Sequence, residues 1–335
     1  MNTDTIRSSK ASAKPNSGLS LRGLRVFVAV EETGSIGEAA TQIGGSPSGV
    51  SQLITALESA VGAKLFDRSA RPVTLTPAGQ VLRVHAHRIL EAVSEAQSEL
   101  AELNLSSLPQ LTLAILDDLD ASLTPVLVAS LQTRFRNCFV NAFSGRSDTI
   151  TQMVIDRKAD IAVSVVMPSD ANRYRSIAIL REPFILVAAK GAISPGSDLR
   201  EQLASLPFVQ YSEAMPIGRI VAQQMKRLRF KVPRRYAFEA SRSVFAMVVQ
   251  TKGWALTTPL NVLDAERFVP QLDIMTIPFP AFSRRIYLIA RNEELGHLPQ
   301  QLADDCRRLV RERLLPRFSE IAPAISSPIE VVEDE

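Results

Sequence analysis

Five short hydrogen-bonding side chains, Ser46, Ser48, Ser51, Gln52 and Thr55, fall within ten residues on one side of a helical repeat. None is charged, so each can approach another surface at a lower desolvation cost than an ion. Hydroxyl and amide groups of this reach suit the base edges and phosphates of a DNA major groove. The other side of the segment carries Val50, Leu53, Ile54 and Leu57 at i, i+3, i+4 and i+7, an apolar stripe that must face a core. An ordinary amphipathic hairpin with a solvated Ser/Thr face would show the same stripe, and the flanking residues decide between the two.

Ser46 is placed as an N-cap and Pro47 at the first helical position, with Gly49 beside them on the polar side. Upstream, Ser35 and Glu38 stand three apart as a capping box at the head of a shorter helix that buries Ala39, Ala40 and Ile43 and stops at Gly44-Gly45. Downstream of Gly62, Lys64 to Arg68 and Val73 to Leu75 read as two short strands around the loop Ser69 to Pro72. This order predicts a winged helix-turn-helix, with Arg68 and Arg71 in the wing and Lys64 at its base placed to neutralise phosphates. Thr76 and Pro77 then start a helix running to about Leu105, roughly 43 Å at 1.5 Å per residue. Its apolar positions Val81, Leu82, Ile89, Val93, Ala96, Leu100 and Leu103 exceed what a wing and one hairpin are expected to cover. A symmetry-related helix is the simplest partner, and a two-fold dimer would set two recognition helices on a palindromic site.

In their order and spacing, LRGLRVFVAVEETGSIGEAATQI, SPSGVSQLITALE, LFDR and LTPAG resemble the amino-terminal domain of LysR-type transcriptional regulators. The likeness is strong over residues 20 to 105 and weaker beyond. It implies that Ser46 through Thr55 form the recognition helix, supported by Ser35 at the preceding helix start, and that Arg68 and Arg71 lie in the wing. One departure stands out: where many members have glutamine, this chain has Pro47, so Ser48, Ser51 or Gln52 must carry more of the base readout. The resemblance also implies tetramers and autoregulation.

The chain of 335 residues exceeds a single ordinary domain, and a 46% hydrophobic share suffices for packed cores. The formal charge of +3 agrees with a nucleic-acid partner, but the excess is not massed in the DNA-reading segment. Between Leu21 and Leu90 seven Lys/Arg stand against five Asp/Glu, so local placement has to act in place of bulk charge. Two distant cysteines, Cys138 and Cys306, no secretory leader and no apolar run near about 18 residues predict a reducing cytoplasm and no membrane partner. A redox sensor at Cys138 would need exposure and a basic neighbour; a buried inert thiol is the expectation. His85, His87 and His297 lack metal-ligand spacing, and no phosphate loop or nucleophile elbow occurs, so neither metal, cofactor nor enzymatic activity is expected.

Past Pro109, strands at Leu111 to Leu116, Phe139 to Phe143 and Asp160 to Val165 alternate with helices, which is βαβ order. Near Phe184 to Val187 the chain enters a second lobe with strands at Phe208 to Tyr211, Tyr236 to Ala240 and Trp254 to Thr257, and it returns near Arg284 to Ala290 before a helix over Leu298 to Leu314. Two lobes crossed twice form a hinged clamp with room for a small ligand; the order resembles the same family's effector domain, itself similar to periplasmic binding proteins. Strand carboxyl ends nominate Asp117, Asp118, Ser144, Ser147, Tyr211, Ser212 and Thr257 as effector contacts. Gly145, Ser147 and Asp160 fall where the family's common signals stand. The Asp117, Asp118 and Asp120 cluster would favour a cationic or hydroxyl-rich effector, or would simply complement a helix N-terminus. The basic run Lys226, Arg227, Arg229, Lys231, Arg234 and Arg235 reads as a helix C-terminus in solvent, or as an anion- or DNA-contacting patch.

The expected architecture is α/β overall. A disordered tail (1–18) precedes a mostly helical winged helix-turn-helix domain (19–76) and a dimerising linker helix (77–107). A two-lobed effector domain (108–320) follows, with lobe I over about 108–180 and 281–320 and lobe II over about 181–280, before an acidic disordered tail (321–335). The expected function is a sequence-specific regulator that binds double-stranded promoter DNA, an unidentified small-molecule effector and itself, as dimer or tetramer, with RNA polymerase a candidate partner. A ligand-independent architectural DNA-binder is the alternative.

Overall fold

A computed structural model describes residues 19–105, 109–194, 198–292, 294–325 and 329–333. The expected amino-terminal tail (1–18) and the hinge at Ser106-Ser107 lie outside the described residues. Chain contacts separate two compact units, with the division after Gln97.

In the first unit, α1 (Leu21–Thr33), α2 (Ile36–Gln42) and α3 (Pro47–Val61) are followed by β1 (Phe66–Asp67), β2 (Thr74–Leu75) and α4 (Pro77–Leu105). Each of the first three helices begins at a serine whose hydroxyl accepts an otherwise unpaired amide: Ser20 from Gly23, Ser35 from Glu38 and Ser46 from Gly49. The anticipated capping box at Ser35 is half formed, because its own amide donates to Thr33 Oγ1 at 3.3 Å. The buried faces meet in one core of Leu24, Phe27, Val30, Ala39, Val50, Ile54 and Leu57, with the Phe27 and Phe66 rings 5.1 Å apart. The hairpin is shorter than expected, two residues per strand. Beneath it Gly79 sits where a Cβ would fall 2.1 Å from the Leu65 carbonyl oxygen, so any larger residue would push α4 off the base of the wing.

The expectation that the long helix needs a partner along its whole apolar stripe is corrected. Leu82 and Ala86 are buried in the first unit's core, with Ile89 and Leu90 packed against it. They reach the core because the stripe repeats at 3.6-residue spacing over the same three helices. What stays exposed is a second face, Val81, Val84 and Leu100.

The second unit holds two sheets. Lobe I is built from β3 (Gln110–Leu116), α5 (Asp117–Arg134), β4 (Phe139–Gly145), α6 (Ser147–Ile155), β5 (Ile161–Ser164) and β6 (Tyr174–Pro183). Lobe II follows with β7 (Ile185–Ala189), α7 (Leu199–Ser205), β8 (Phe208–Tyr211), α8 (Pro216–Arg227), β9 (Arg234–Phe238), α9 (Ser241–Thr251), β10 (Trp254–Thr257), α10 (Pro259–Asp264) and β11 (Leu272–Met275). The chain returns through β12 (Ser283–Arg291) and α11 (Leu298–Leu309), a π turn at Val310–Leu314, α12 (Leu315–Ile321) and β13 (Glu330–Val331). The sheet orders are β13-β6-β12-β5-β3-β4 and β11-β7-β10-β8-β9. β3, β4 and β5 run parallel, while β12 is antiparallel to both β5 and β6. Strand interiors such as β3 and β5 are continuous apolar runs because both sheet faces are covered; burying a leucine or isoleucine there contributes about 1.5–3 kcal/mol.

The carboxyl end departs from expectation. Phe318, Ala322 and Ile325 belong to the core of lobe II, not lobe I, and Ile329 belongs to the core of lobe I. Nor are residues 321–333 a disordered tail: Val331 pairs with Leu180 on β6, Glu330 pairs with Arg181, and Ile325 and Ile329 are both buried. Those two isoleucines and the Arg181 to Glu330 ion pair tie down a segment whose acidic composition suggested solvent. Asp334 and Glu335 lie outside the described residues. The polypeptide thus crosses between lobes four times, not twice.

Candidate nucleic-acid interface and interlobe cleft

On α3, Val50, Ile54 and Leu57 are buried, while Ser46, Pro47, Ser48, Gln52 and Thr55 are exposed and Gly49 and Ser51 half-buried. The predicted residues therefore share one outward face. Ser46 Oγ caps Gly49 N at 3.2 Å and meets Ser48 Oγ at 3.1 Å. Thr55 Oγ1 donates to the Ser51 carbonyl at 2.9 Å, which leaves its lone pairs rather than its proton for a ligand. Ser35 caps α2 from a half-buried position. Arg68 and Arg71 are exposed on the wing, where Asp67 braces the turn by accepting from the Ser69 amide and hydroxyl at 2.9 and 2.6 Å.

One functional group escaped the sequence reading. Glu58 is 4% exposed, and its carboxylate accepts from Lys64 Nζ at 2.8 Å and Leu65 N at 3.0 Å, with Arg68 at 3.7 Å. Burial pushes its pKa up, but the Lys64 ammonium and the Leu65 amide more than offset this and hold it below the ordinary value. Glu58 thereby pins the wing to the recognition helix, and Lys64 and Arg68, assigned to phosphates alone, also serve this clasp. Position 58 is four residues after Ile54 on the buried stripe, a signal that could have exposed it.

In the second unit, Asp117 and Asp118 open α5 at the carboxyl end of β3, and Ser144 lies at the end of β4. They line a cavity of about 440 Å³ between the lobes, closed from lobe II by Met215, Glu239, Ser241 and Arg242. Asp117 is bonded to Ser144, and burial together with the neighbouring Asp118, Asp120 and Asp264 carboxylates raises its pKa. Arg146 reaches across to the Ala214 carbonyl at 2.7 Å, and Asp148 stands 3.9 Å from Arg219, so the cleft mouth is bridged. The other predicted contacts lie deeper. Ser147 is 5% exposed and its carbonyl accepts from Ser164 Oγ at 3.0 Å. Tyr211 OH and Thr257 Oγ1 are 2.9 Å apart and both buried, which makes Thr257 a support of the floor. Ser212 Oγ is taken up by the Ala214 amide at 3.2 Å.

The floor is a buried polar network. Arg284 on β12 donates to Glu182 on β6 at 2.6 Å, to Asp118 at 2.8 Å and to Thr258 at 3.1 Å. Leu260 N donates to Glu182 at 3.0 Å, and the Asn261 amide, oriented to donate, reaches Asp118 at 2.9 and 3.1 Å. Burial works against the guanidinium charge, yet Glu182 and Asp118 outweigh it and keep Arg284 protonated. Asp118 thus touches lobe I, the hinge strands and α10 together. Nothing in the local sequence announces a partner 102 residues away.

Asp160 accepts from Thr112 N at 2.8 Å and pairs with Arg291 at 3.0 Å, a structural tie within lobe I. Trp254 is fully buried, donates to the Leu203 carbonyl at 2.9 Å and packs on Phe208. The basic residues Lys226, Arg229, Lys231 and Arg234 rim a separate depression on lobe II, where Glu213 pairs with Arg234 at 2.6 Å. Both cysteines are buried, and burial raises both thiols. Among the described residues no helix is long and apolar enough to cross a membrane.

Comparison with known proteins places these features in context. Residues 21–80 match the model of the bacterial regulatory helix-turn-helix protein, lysR family, and residues 107–314 match that of the LysR substrate binding domain. A probable nitrogen assimilation transcriptional activator of Synechococcus elongatus is 26% identical over 298 residues, covering 88% of this chain and 95% of the relative. A probable hydrogen peroxide-inducible genes activator of Mycobacterium avium is 27% identical over 283 residues, covering 81% and 88%. Among solved structures, the oxidized form of Corynebacterium glutamicum OxyR superposes with a TM-score of 0.51 at 23% identity, covering 94% of this chain and 97% of that one, a likeness of fold alone.

Proposed function

The chain belongs to the LysR family of transcriptional regulators, and from that premise we propose that the outward face of α3 reads promoter DNA while the interlobe cleft takes the effector. The observation that carries the first half is the face itself: Ser48, Gln52 and Thr55 exposed opposite Val50, Ile54 and Leu57 buried, on a helix whose start Ser46 fixes. Ser51 and Gln52 act at base edges, and Arg68 and Arg71 on the wing act at phosphates. The exposed Val81, Val84 and Leu100 of α4 supply a self-association face, which makes the working form a dimer or a pair of dimers.

Asp117, Asp118 and Ser144 are the effector-facing groups of the cleft, with Tyr211 and Ser147 beneath them. Effector binding shifts lobe closure, and through it the engagement of the oligomer's heads with the promoter. We read the protein as a binder and not a catalyst: Tyr211, the phenol nearest the cleft floor, is bonded to Thr257 and held protonated by burial. The peroxide response named for two relatives is not assigned to this chain, because its cysteines are buried thiols with raised pKa values.

Selection from a random oligonucleotide pool at moderate ionic strength tests the core of this proposal. The expected result is one enriched palindromic motif; a pool that stays random would overturn it. Footprinting and bend assays on the selected site with and without effector then test the cleft, where an unchanged footprint and bend favour the ligand-independent alternative.

A further inference from the structure

We propose that the cleft selects an organic ammonium compound, an inference that rests on the cleft being the effector site. The wall of the cavity carries five carboxylates, Asp117, Asp118, Asp120, Glu239 and Asp264, against two guanidinium groups, Arg146 and Arg242. Two of the five are already neutralised, Asp118 by Arg284 at 2.8 Å and Asp264 by Arg242 at 2.6 Å. Asp117 and Asp120 have only hydroxyl partners, Ser144 and Thr124, and among the described residues no cationic side chain pairs with either.

A structural role at the N-terminus of α5 would account for some of this charge, since the first turn of a helix favours anions. The same role would lower the pKa of Asp117, whereas burial and three neighbouring carboxylates raise it. Charge has therefore been gathered beyond what the helix end can stabilise, and a ligand cation is what relieves it. A point-like metal ion does not fit: among the described residues no group of three or more carboxylate, histidine or cysteine side chains is placed to hold one. A second feature of the same wall points to a ligand independently. The Arg146 Nε is buried without an acceptor, although its Nη2 is engaged by Asp148 and the Ala214 carbonyl. A ligand oxygen would satisfy it. The matching molecule carries an ammonium group for Asp117 and Asp120 and an oxygen for Arg146, as an amino acid or amino alcohol with a cationic end does.

The consequence for regulation follows from Asp118. It lies beside Asp117 on the cavity wall and also holds Arg284 and Asn261. An ammonium seated on Asp117 competes for the Asp118 carboxylate and so reaches the hinge strands directly.

The test is calorimetry and thermal unfolding of the full chain with L-lysine, 1,4-diaminobutane and succinate at millimolar concentration, repeated with Asp117→Asn. Both ammonium compounds are expected to bind saturably and raise Tm while succinate does neither, and Asp117→Asn should weaken their binding tenfold or more. Without ligand, Asp117→Asn should raise Tm, because it removes repulsion; a merely structural helix-end carboxylate would lower it. Saturable binding of succinate in place of the ammonium compounds would overturn the charge assignment and leave the effector cleft standing. Ammonium binding that Asp117→Asn leaves unchanged would place the cation elsewhere and also overturn it. Binding by none of the three, with no Tm gain in Asp117→Asn, would sink the inference; if a metabolite extract also left the footprint unchanged, the cleft reading would fall with it.

Discussion

Glu58 in the DNA-reading unit and Glu182 in the two-lobed unit are both buried glutamates, yet their partners differ in kind. Glu58 is met by Lys64, whose side chain is 74% exposed, and by Arg68 at 40%; Glu182 is met by Arg284, itself 4% exposed. The first pair is a clasp at the edge of a small core, open to water on its cationic side. The second is sealed at a hinge, where neither charge can be solvated if the other is removed. A wing tolerates adjustment as it settles on a duplex, whereas a hinge that couples ligand to lobe position gains from having few alternative arrangements.

Removing one half of the sealed pair should have the largest effect. Arg284→Met leaves Glu182 and Asp118 buried without their cation and should cost about 3–5 kcal/mol, read as a lowered midpoint of urea unfolding for the two-lobed unit. A loss under about 1 kcal/mol would mean that water reaches the hinge, and the contrast with Glu58 would vanish. Next in size are the base-reading residues, where Ser51→Ala or Gln52→Ala should each remove about 1–3 kcal/mol of discrimination between selected and random sites. Equal weakening on both kinds of DNA would show these side chains to be phosphate contacts.

Glu58→Gln comes third, at about 1–2 kcal/mol, because a neutral acceptor keeps the Leu65 amide but loses the charge that holds Lys64. The pH dependence has a definite sign. A carboxyl held below its ordinary value of 4.5 stabilises the fold above that pH, and the contribution is lost as the pH falls toward its lower folded value. Glu58→Gln should therefore flatten the acid limb of the stability curve, and an unchanged limb would remove Glu58 from the account. Arg68→Ala should have the smallest effect, lowering affinity for all sequences alike and reducing the salt slope by about 1. Loss of sequence preference in that variant would reverse the roles given to wing and helix.

The helix stripes, the serine caps and the element order of the DNA-reading unit were legible because each rests on neighbours within about eight residues. The exposed face of α3 followed directly from the stripe opposite it. The cleft was legible in part: Asp117, Asp118 and Ser144 could be placed from strand ends, since a parallel strand delivers its last residues to a common edge. Arg284 and Glu182 could not, because their meeting depends on β6 and β12 being paired across a whole intervening lobe. β6 itself went unrecognised. Its pattern YRSIAILREP mixes charged and apolar residues, and its outer edge is completed only by the distant β13. β11 was missed for a similar reason, a four-residue strand whose place is set by β7.

The carboxyl-terminal return has a mechanical meaning. Ile325 is anchored in lobe II and Ile329 in lobe I, and four residue steps of fully extended chain span at most roughly 14 Å. While both anchors hold, that length is the slack of a tether. The clamp carries its own stop, and opening it wider requires pulling one isoleucine from its socket.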